Sequence, residues 1–257
     1  MAKIAVFDSG FGSLSIIRPI QKTIKSEIIY FADQDSFPYG KKSKSDLYKI
    51  ISQTIFLLKT RFEPDLIVVG SNTPTLLFNK IFSQAIIGVL PPLKEAIKIS
   101  TTKNIAILTT QSAMKSKELT NYIKKNTSSK YHIKKINASP LIKLVESGKF
   151  VSNQKLCKRI IKKTLKQKLL KNNIDVVTLS STHLPFLKSL LKKEFPRVTF
   201  LDPAQKVANK VAKLTSKKRS KKNSIKIFTS KNTNQFQKQL RKIGMKNKVN
   251  FLSLKQL

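Results

Sequence analysis

The sequence is poor in several residue types that mark particular classes of protein. Of its 257 residues one is cysteine, none is tryptophan, seven are glycine and two are histidine. A lone cysteine, Cys157, cannot form an intramolecular disulfide, which excludes a disulfide-stapled scaffold. No apolar run approaches the roughly 18 to 20 residues of a membrane-spanning helix, so no membrane association is expected. Asp8 interrupts the apolar run of the opening MAKIAVFDSG, which predicts no secretory leader and therefore a cytoplasmic protein.

Acidic residues are scarce as well. The chain has 51 Lys and Arg against 13 Asp and Glu, a formal net charge of +38, which favours a nucleic acid or another polyanion as partner. Only six of the basic residues are arginine, however, and isoleucine outnumbers valine 28 to 12. Lysine and isoleucine have A/T-rich codons, and arginine leads in base recognition, so drift in genome composition also explains the charge. The lysine-rich segment 213–223 is accordingly either a solvated linker or the contact surface for a polyanion.

The pattern of apolar residues predicts the fold class. With 40% apolar residues the chain can build a core. Short β-branched runs alternate with segments of helical period, which is typical of an α/β fold with mainly parallel sheets. Strands are predicted at residues 4–7, 27–31, 66–69, 85–89, 105–108, 130–136, 176–179, 199–201 and 225–228. Helices are predicted at residues 46–59, 93–100, 112–125, 154–170, 184–194 and 204–214.

An internal repeat indicates two similar α/β halves. The segment DLIVVGSNT, from Asp65, aligns with DVVTLSSTH, from Asp175, at an offset of 110, and IAVFDS at residue 4 aligns more weakly with IAILTT at residue 105. Each half then presents a loop at the carboxyl end of a strand, one beginning at Ser71 and the other at Ser181. Ligands of open α/β sheets bind at such ends, so the halves are expected to share a cleft. The final strand and helix, from Ile225 onward, should pack onto the first half.

Four loops collect the scarce residues. They are DSGFG after the first strand, DQDSFPYG at residues 33–40, GSNT at residues 70–73 and SSTHLP at residues 180–185, and they hold four of the seven glycines and one of the two histidines. A glycine-bearing strand-to-helix turn presents backbone N–H groups to a carboxylate or phosphate. Simpler explanations stay open: DSGFG as an ordinary tight turn, Ser71 and Ser181 as helix N-caps, and His183 as a structural hydrogen-bond donor.

In this order and at this spacing the motifs resemble those of the glutamate racemases, in the cofactor-independent aspartate/glutamate racemase superfamily. The resemblance runs over the whole chain. The matching segments are IAVFDSGFG, YFAD with PYG, SNT, IIGVLPP, IAILTT, LVESG, STHLPFL, LDPA, and a closing FTS followed by QF.

The resemblance implies a pseudosymmetric α/β enzyme whose two domains, 1–97 with 206–257 and 98–205, hold the active site in the cleft between them. It implies interconversion of L- and D-glutamate for peptidoglycan by two-base proton transfer at Cα, with no cofactor and no metal, and it allows a homodimer. The catalytic positions it implies are Ser71, Ser181, Asp8, Glu146 and His183. The substrate-binding positions it implies are Asp8, Ser9, Tyr39, Gly40, Asn72, Thr73, Thr110, Thr182 and His183.

The chain departs from the family pattern at the proton-transfer positions. Where the family has two cysteines, this chain has Ser71 and Ser181, and Cys157 lies outside every motif. Further departures are Ser180 and Ser13 for glycine, Leu184 for tyrosine and Ala113 for threonine. A thiol titrates near 8.5, and a gap of roughly five pKa units to an alcohol corresponds to about 7 kcal/mol, or about 10⁵ in rate. We therefore expect racemisation to be absent or strongly reduced. The alternative is an inactive protein of this fold that binds glutamate, a polyanion or a partner.

Overall fold

The structure is a computed structural model that describes residues 2–216, 218 and 221–254. By internal contacts the chain divides into two units: the first comprises the residues up to Val89 and those from Ala204 onward, and the second comprises Leu90–Pro203. The domain ranges inferred from the sequence stay a prediction. Among the described residues, no helix is both long enough and apolar enough to cross a membrane.

The first unit is built on a six-stranded parallel sheet. Its strands are β1 (Lys3–Asp8), β2 (Glu27–Ala32), β3 (Leu66–Val69), β4 (Ile86–Gly88), β9 (Ser224–Thr229) and β10 (Val249–Phe251). Their order is β10-β9-β2-β1-β3-β4, and every neighbouring pair is parallel. The helices of this unit are α1 (Leu14–Thr23), α2 (Lys44–Phe62), α3 (Asn72–Leu77), α11 (Ala204–Leu214) and α12 (Thr233–Lys242). Strands β1, β2 and β3 are buried almost throughout, as expected for a parallel sheet covered on both faces.

The second unit is built on a four-stranded parallel sheet. Its strands are β5 (Asn104–Thr109), β6 (His132–Asn137), β7 (Val176–Leu179) and β8 (Thr199–Leu201), in the order β6-β5-β7-β8. Its helices are α4 (Leu93–Ile99), α5 (Gln111–Lys115), α6 (Lys117–Asn126), α7 (Ser139–Glu146), α8 (Lys149–Ser152), α9 (Gln154–Lys171) and α10 (Lys188–Glu194). The mixed α/β class with mainly parallel sheets is thereby confirmed.

The repeat seen in the sequence is a repeat of structure. Strand β7 lies 110 residues after β3, and both follow an aspartate whose N–H donates to the strand alongside, Asp65 to Lys3 and Asp175 to Asn104. In each unit the central strand is flanked by the next strand on one side and a later one on the other, so the strand order reverses there. Such a switch point is where α/β sheets bind ligands. The strand predicted from Ile225 is β9, and its expected packing onto the first half is confirmed, since it pairs with β2.

Several predicted elements need correction. The helix predicted at 112–125 is two helices, because Ser116 ends α5 and its side chain caps α6 through the N–H of Leu119. The segment predicted as a helix from Leu184 begins as a 3₁₀ turn, Leu184–Leu187. Within segment 213–223, α11 ends at Leu214 and Lys218 forms an ion pair with Asp65, so that part is not a purely solvated linker. Residues 217, 219 and 220 of the segment lie outside the described residues.

Candidate functional site

Asp8, Ser71 and Ser181 lie at or just after the carboxyl ends of strands β1, β3 and β7, so each unit has one set of motif residues at that edge of its sheet. In the first unit Phe7 of β1 pairs with Val69 of β3, and the N–H of Gly70 donates to the carbonyl of Phe7 at 2.7 Å. Asp8, the last residue of β1, therefore leaves the sheet beside the chain that runs from Gly70 into Ser71. This is the switch point of the first sheet, so the strand register brings the DSGFG loop after β1 beside the GSNT loop after β3.

The loop after β1 is ordered around a buried carboxylate. Asp8 is 2% exposed, and its Oδ1 accepts from the N–H of Ser9 at 2.7 Å. The Ser9 hydroxyl in turn accepts a hydrogen bond from the N–H of Tyr39 at 3.5 Å. This bond connects the loop to the short 3₁₀ turn Tyr39–Lys41, which contains Gly40. Four of the residues that the sequence singled out thus form one connected group in the first unit.

A second buried carboxylate, Asp33, lies beneath Tyr39 and was not predicted as a site residue. The Tyr39 hydroxyl donates to Asp33 Oδ2 at 3.2 Å, and Ser230 donates to Asp33 Oδ1 at 3.3 Å. Burial raises the pKa of Asp33, although the hydrogen bonds it accepts oppose the change. Burial also raises the pKa of Tyr39, reinforced by the negative charges of Asp33 and Asp8. Tyr39 is therefore a neutral, firmly oriented hydroxyl. The signal in the sequence was the position of Asp33 at the end of a predicted strand.

The loop after β3 holds Ser71, Asn72 and Thr73. Ser71 occupies the N-cap position of α3, but its hydroxyl caps none of the described N–H groups of that helix, so the simple capping role is wrong here. Asn72 is 4% exposed and its amide donates to the carbonyl of Val89 at 2.9 Å. Its Oδ1 is buried and has no hydrogen-bond partner among the described residues. A buried acceptor without a donor is costly, and a ligand with N–H groups would satisfy it.

Gly70 is required by the packing beneath this loop. A Cβ placed on Gly70 would lie 2.3 Å from the Cβ of Ser13 and 3.0 Å from the carbonyl oxygen of Phe7. Ser13 is fully buried at the N-cap position of α1, so its side chain cannot move aside without disturbing the surrounding packing. The glycine thus allows the site loop to run directly over the first helix.

In the second unit three predicted residues form a hydrogen-bonded chain. Glu146, the last residue of α7, places Oε2 2.7 Å from Nε2 of His183. The other ring nitrogen of His183, Nδ1, lies 3.5 Å from the hydroxyl oxygen of Ser181. Ser181 and His183 are 7% and 6% exposed, in the loop between β7 and the 3₁₀ turn. A carboxylate holding an imidazole against a hydroxyl is an arrangement suited to moving a proton.

Two predicted threonines complete the second set. Thr110 follows β5, and its hydroxyl accepts from the N–H of Ala113, so it caps α5. Thr182 is 3% exposed and lies between Ser181 and His183. The described residues contain no group of three or more His, Cys, Asp or Glu that would hold a metal ion. Cys157 is buried in α9, and burial raises the pKa of its thiol.

The chain is similar in sequence to known glutamate racemases. It is 34% identical over 219 residues to the glutamate racemase of Buchnera aphidicola subsp. Schizaphis graminum, covering 79% of this chain and 81% of that protein. It is 31% identical over 205 residues to the enzyme of Leptospira borgpetersenii strain JB197, covering 78% and 77%. No protein-family profile matches the chain.

Solved structures show the same fold. A glutamate racemase isoform of Bacillus anthracis is 25% identical, with a TM-score of 0.81 over 98% of both chains. The Escherichia coli enzyme, solved with L-glutamate and the activator UDP-MurNAc-Ala, has a TM-score of 0.84 at 22% identity over 98% of both chains. The Francisella tularensis enzyme, solved with D-glutamate, has a TM-score of 0.82 at 22% identity over 100% of this chain and 99% of that one.

Proposed function

The chain belongs to the glutamate racemase family, and from that premise we propose that it binds both enantiomers of glutamate and that Ser71 and Ser181 occupy its proton-transfer positions. The observation that carries the proposal is the structural equivalence of the two serines. Each follows the strand beside the central one in its sheet, at positions 110 residues apart. A two-base racemase needs one proton-transfer group for each face of Cα, and Ser71 and Ser181 are the two groups we propose.

The substrate-binding residues we propose are those implied by the family resemblance. Asn72 contributes the unpartnered buried oxygen described above, which suits the ammonium group of an amino acid. Tyr39 contributes a neutral hydroxyl anchored on Asp33. The remaining members of the proposed set are Asp8, Ser9, Gly40, Thr73, Thr110, Thr182 and His183.

For the chemistry we propose that the neighbouring groups compensate part of the acidity lost with the thiols. His183 receives the proton of Ser181 while Glu146 stabilises the resulting imidazolium, and Asp8 is the corresponding base for Ser71. General acid–base catalysis is worth typically 10² to 10⁴ in rate, less than the factor of about 10⁵ that separates an alcohol from a thiol. Racemisation by this chain is therefore expected to be slow compared with a cysteine enzyme.

The relatives do not favour the alternative of an inactive protein that binds a polyanion or a partner, because those named above are glutamate racemases. We further propose a supply of D-glutamate for peptidoglycan and a cytoplasmic location, in keeping with the family. A homodimer and nucleic-acid binding stay predictions from the sequence.

Titration calorimetry tests the binding step separately from the chemistry. We expect D-glutamate and L-glutamate each to bind with a dissociation constant below 1 mM, which corresponds to a binding free energy more favourable than about −4 kcal/mol. D-lysine is a matched ligand control, since its cationic side chain lacks the second carboxylate. Affinities weaker than millimolar for both glutamate enantiomers, with the protein folded by circular dichroism, would reject the proposed substrate.

A further inference from the structure

The loop that holds Ser181 has the components that make a serine nucleophilic. Racemisation requires proton transfer and no nucleophile. The hydroxyl of Ser181, the imidazole of His183 and the carboxylate of Glu146 are joined in sequence by contacts of 3.5 and 2.7 Å. Serine hydrolases use the same three groups: a hydroxyl nucleophile, an imidazole base and a carboxylate that orients the base. With cysteine at this position the family has no such serine, so the arrangement comes from the exchange itself.

The contact with Glu146 fixes the tautomer of His183 in the form that a base requires. A carboxylate oxygen only accepts, so Nε2 carries the hydrogen that it donates to Oε2 of Glu146. In the neutral ring Nδ1 is then unprotonated and accepts from the hydroxyl of Ser181. The distance of 3.5 Å between these two atoms is on the long side, as is common before substrate binds.

Ser181 also lies where nucleophilic serines are found in α/β folds. It follows the carboxyl end of β7 and precedes the helical turn Leu184–Leu187, at the switch point of a parallel sheet. Its counterpart Ser71 has the same place in the first unit, but both histidines of the chain, His132 and His183, belong to the second unit. The two serines are therefore equivalent in fold and different in chemistry.

We propose that Ser181 is a nucleophile that accepts an acyl group from small activated carboxylic esters, with His183 as its base and Glu146 as the residue that positions the imidazole. Oγ of Ser181 bonds to the ester carbonyl carbon while its proton passes to Nδ1 of His183. The bond from that carbon to the alkoxy oxygen breaks, and the leaving alkoxide takes the proton and departs as an alcohol. Water then attacks the acyl-serine by the same route and releases a carboxylic acid.

A small fluorophosphonate tests the nucleophile directly, because Oγ displaces fluoride from phosphorus and the adduct is stable to mass spectrometry. We expect the adduct on Ser181 and not on Ser71 in the intact protein, and none in Ser181→Ala. His183→Gln should slow labelling by at least about 100-fold, the lower end for loss of a general base. His132→Gln is the matched control, since His132 is exposed on β6, and it should label at the unchanged rate.

The role of Glu146 is tested by a property that a merely structural residue would not change. In protein labelled with ¹⁵N-histidine, only two imidazoles contribute signals, and His183 should show the tautomer protonated at Nε2. Glu146→Gln should shift His183 away from this tautomer and slow labelling, while the signals of His132 stay in place.

Several results would overturn the proposal. They are equal labelling of Ser71 and Ser181, no labelling above that of urea-unfolded protein, or a folded His183→Gln variant that labels at the original rate. If His183→Gln does not fold, the site of the adduct and the tautomer of His183 in the unaltered protein decide the matter. None of these measurements uses glutamate, so failure of the proposed racemisation and failure of the proposed acylation are distinguishable.

Discussion

Asn72 is the residue that most clearly indicates a binding site, because one of its buried polar atoms lacks a hydrogen-bond partner among the described residues. Its amide nitrogen is satisfied by Val89, whereas its buried Oδ1 has no partner among the described residues. In a folded chain such an acceptor is expected to be matched by a donor, and in the proposed site that donor is the ammonium group of glutamate. We therefore expect the ligand of the first unit to carry N–H groups.

The corresponding prediction concerns Asn72→Ala. A hydrogen bond to a charged group is worth about 1.5–3 kcal/mol, so the affinity for glutamate should fall at least about tenfold by calorimetry. Asn126→Ala is the matched control, since the amide of Asn126 donates locally to the carbonyl of Tyr122 at the end of α6, and it should leave affinity unchanged. Unaltered affinity in a folded Asn72→Ala variant would remove Asn72 from the site.

At the level of single residues, the sequence showed which residues belong to the site more readily than it showed which groups those residues contact. His183 and Glu146 were expected near Ser181 only because the motifs resemble a family, since 37 residues separate the imidazole from its carboxylate. Asp33 and Asn72 were visible as polar residues after apolar runs. Their burial and the missing partner of Asn72 depend on tertiary packing, which no local pattern contains.

At the scale of elements, the strands were the most predictable part of the fold. Strands β3 and β7 have the predicted bounds, because a buried parallel strand is a short, continuous apolar run. Helices α1, α3, α7 and α8 were not predicted. α3 has six residues and is too short to show a helical period, and Pro19 within α1 disguises that helix. Strand β10 was not predicted either, because it has only three residues, of which one is buried.

The junction between β3 and α1 gives a testable packing claim. Gly70→Ala should destabilise the protein by about 1–3 kcal/mol, because its Cβ would meet Ser13 at 2.3 Å. Ser13→Gly removes the opposing side chain, so the double variant should recover part of the loss. Urea unfolding of the two single variants and the double variant measures the coupling free energy, expected at about 0.5–3 kcal/mol. Strictly additive effects would contradict the contact.

At the scale of the whole molecule, stability should depend on a carboxylate at the base of the second sheet. Partial burial would raise the pKa of Asp175. Hydrogen bonds from the backbone of Thr102 and Thr101 and the hydroxyl of Ser100 outweigh it, and lower that pKa to about 2. Because the folded-state pKa lies below the unfolded one, the ionised carboxylate stabilises the fold above about pH 4. This contribution is lost as the pH falls toward 2.

Asp175→Asn tests this dependence. The variant should be less stable than the unaltered protein at pH 7 by about 1 kcal/mol, after allowance for solvent screening of a partly exposed group. The difference should shrink between pH 4 and pH 2. Urea unfolding at several pH values measures it, and a difference that stays constant down to pH 2 would show that the carboxylate charge is not responsible.

The central claim is that this chain keeps the glutamate racemase site and has lost the acidity of its two proton-transfer groups. Deuterium exchange at Cα of each glutamate enantiomer in D₂O, followed by NMR, tests it on the protein as it is and on the Ser71→Cys/Ser181→Cys variant. We expect the cysteine variant to exchange at rates typical of enzymes, about 1 to 10³ s⁻¹, and the serine protein to be slower by several orders of magnitude. Equal exchange by both proteins, whether fast or absent, would contradict the account.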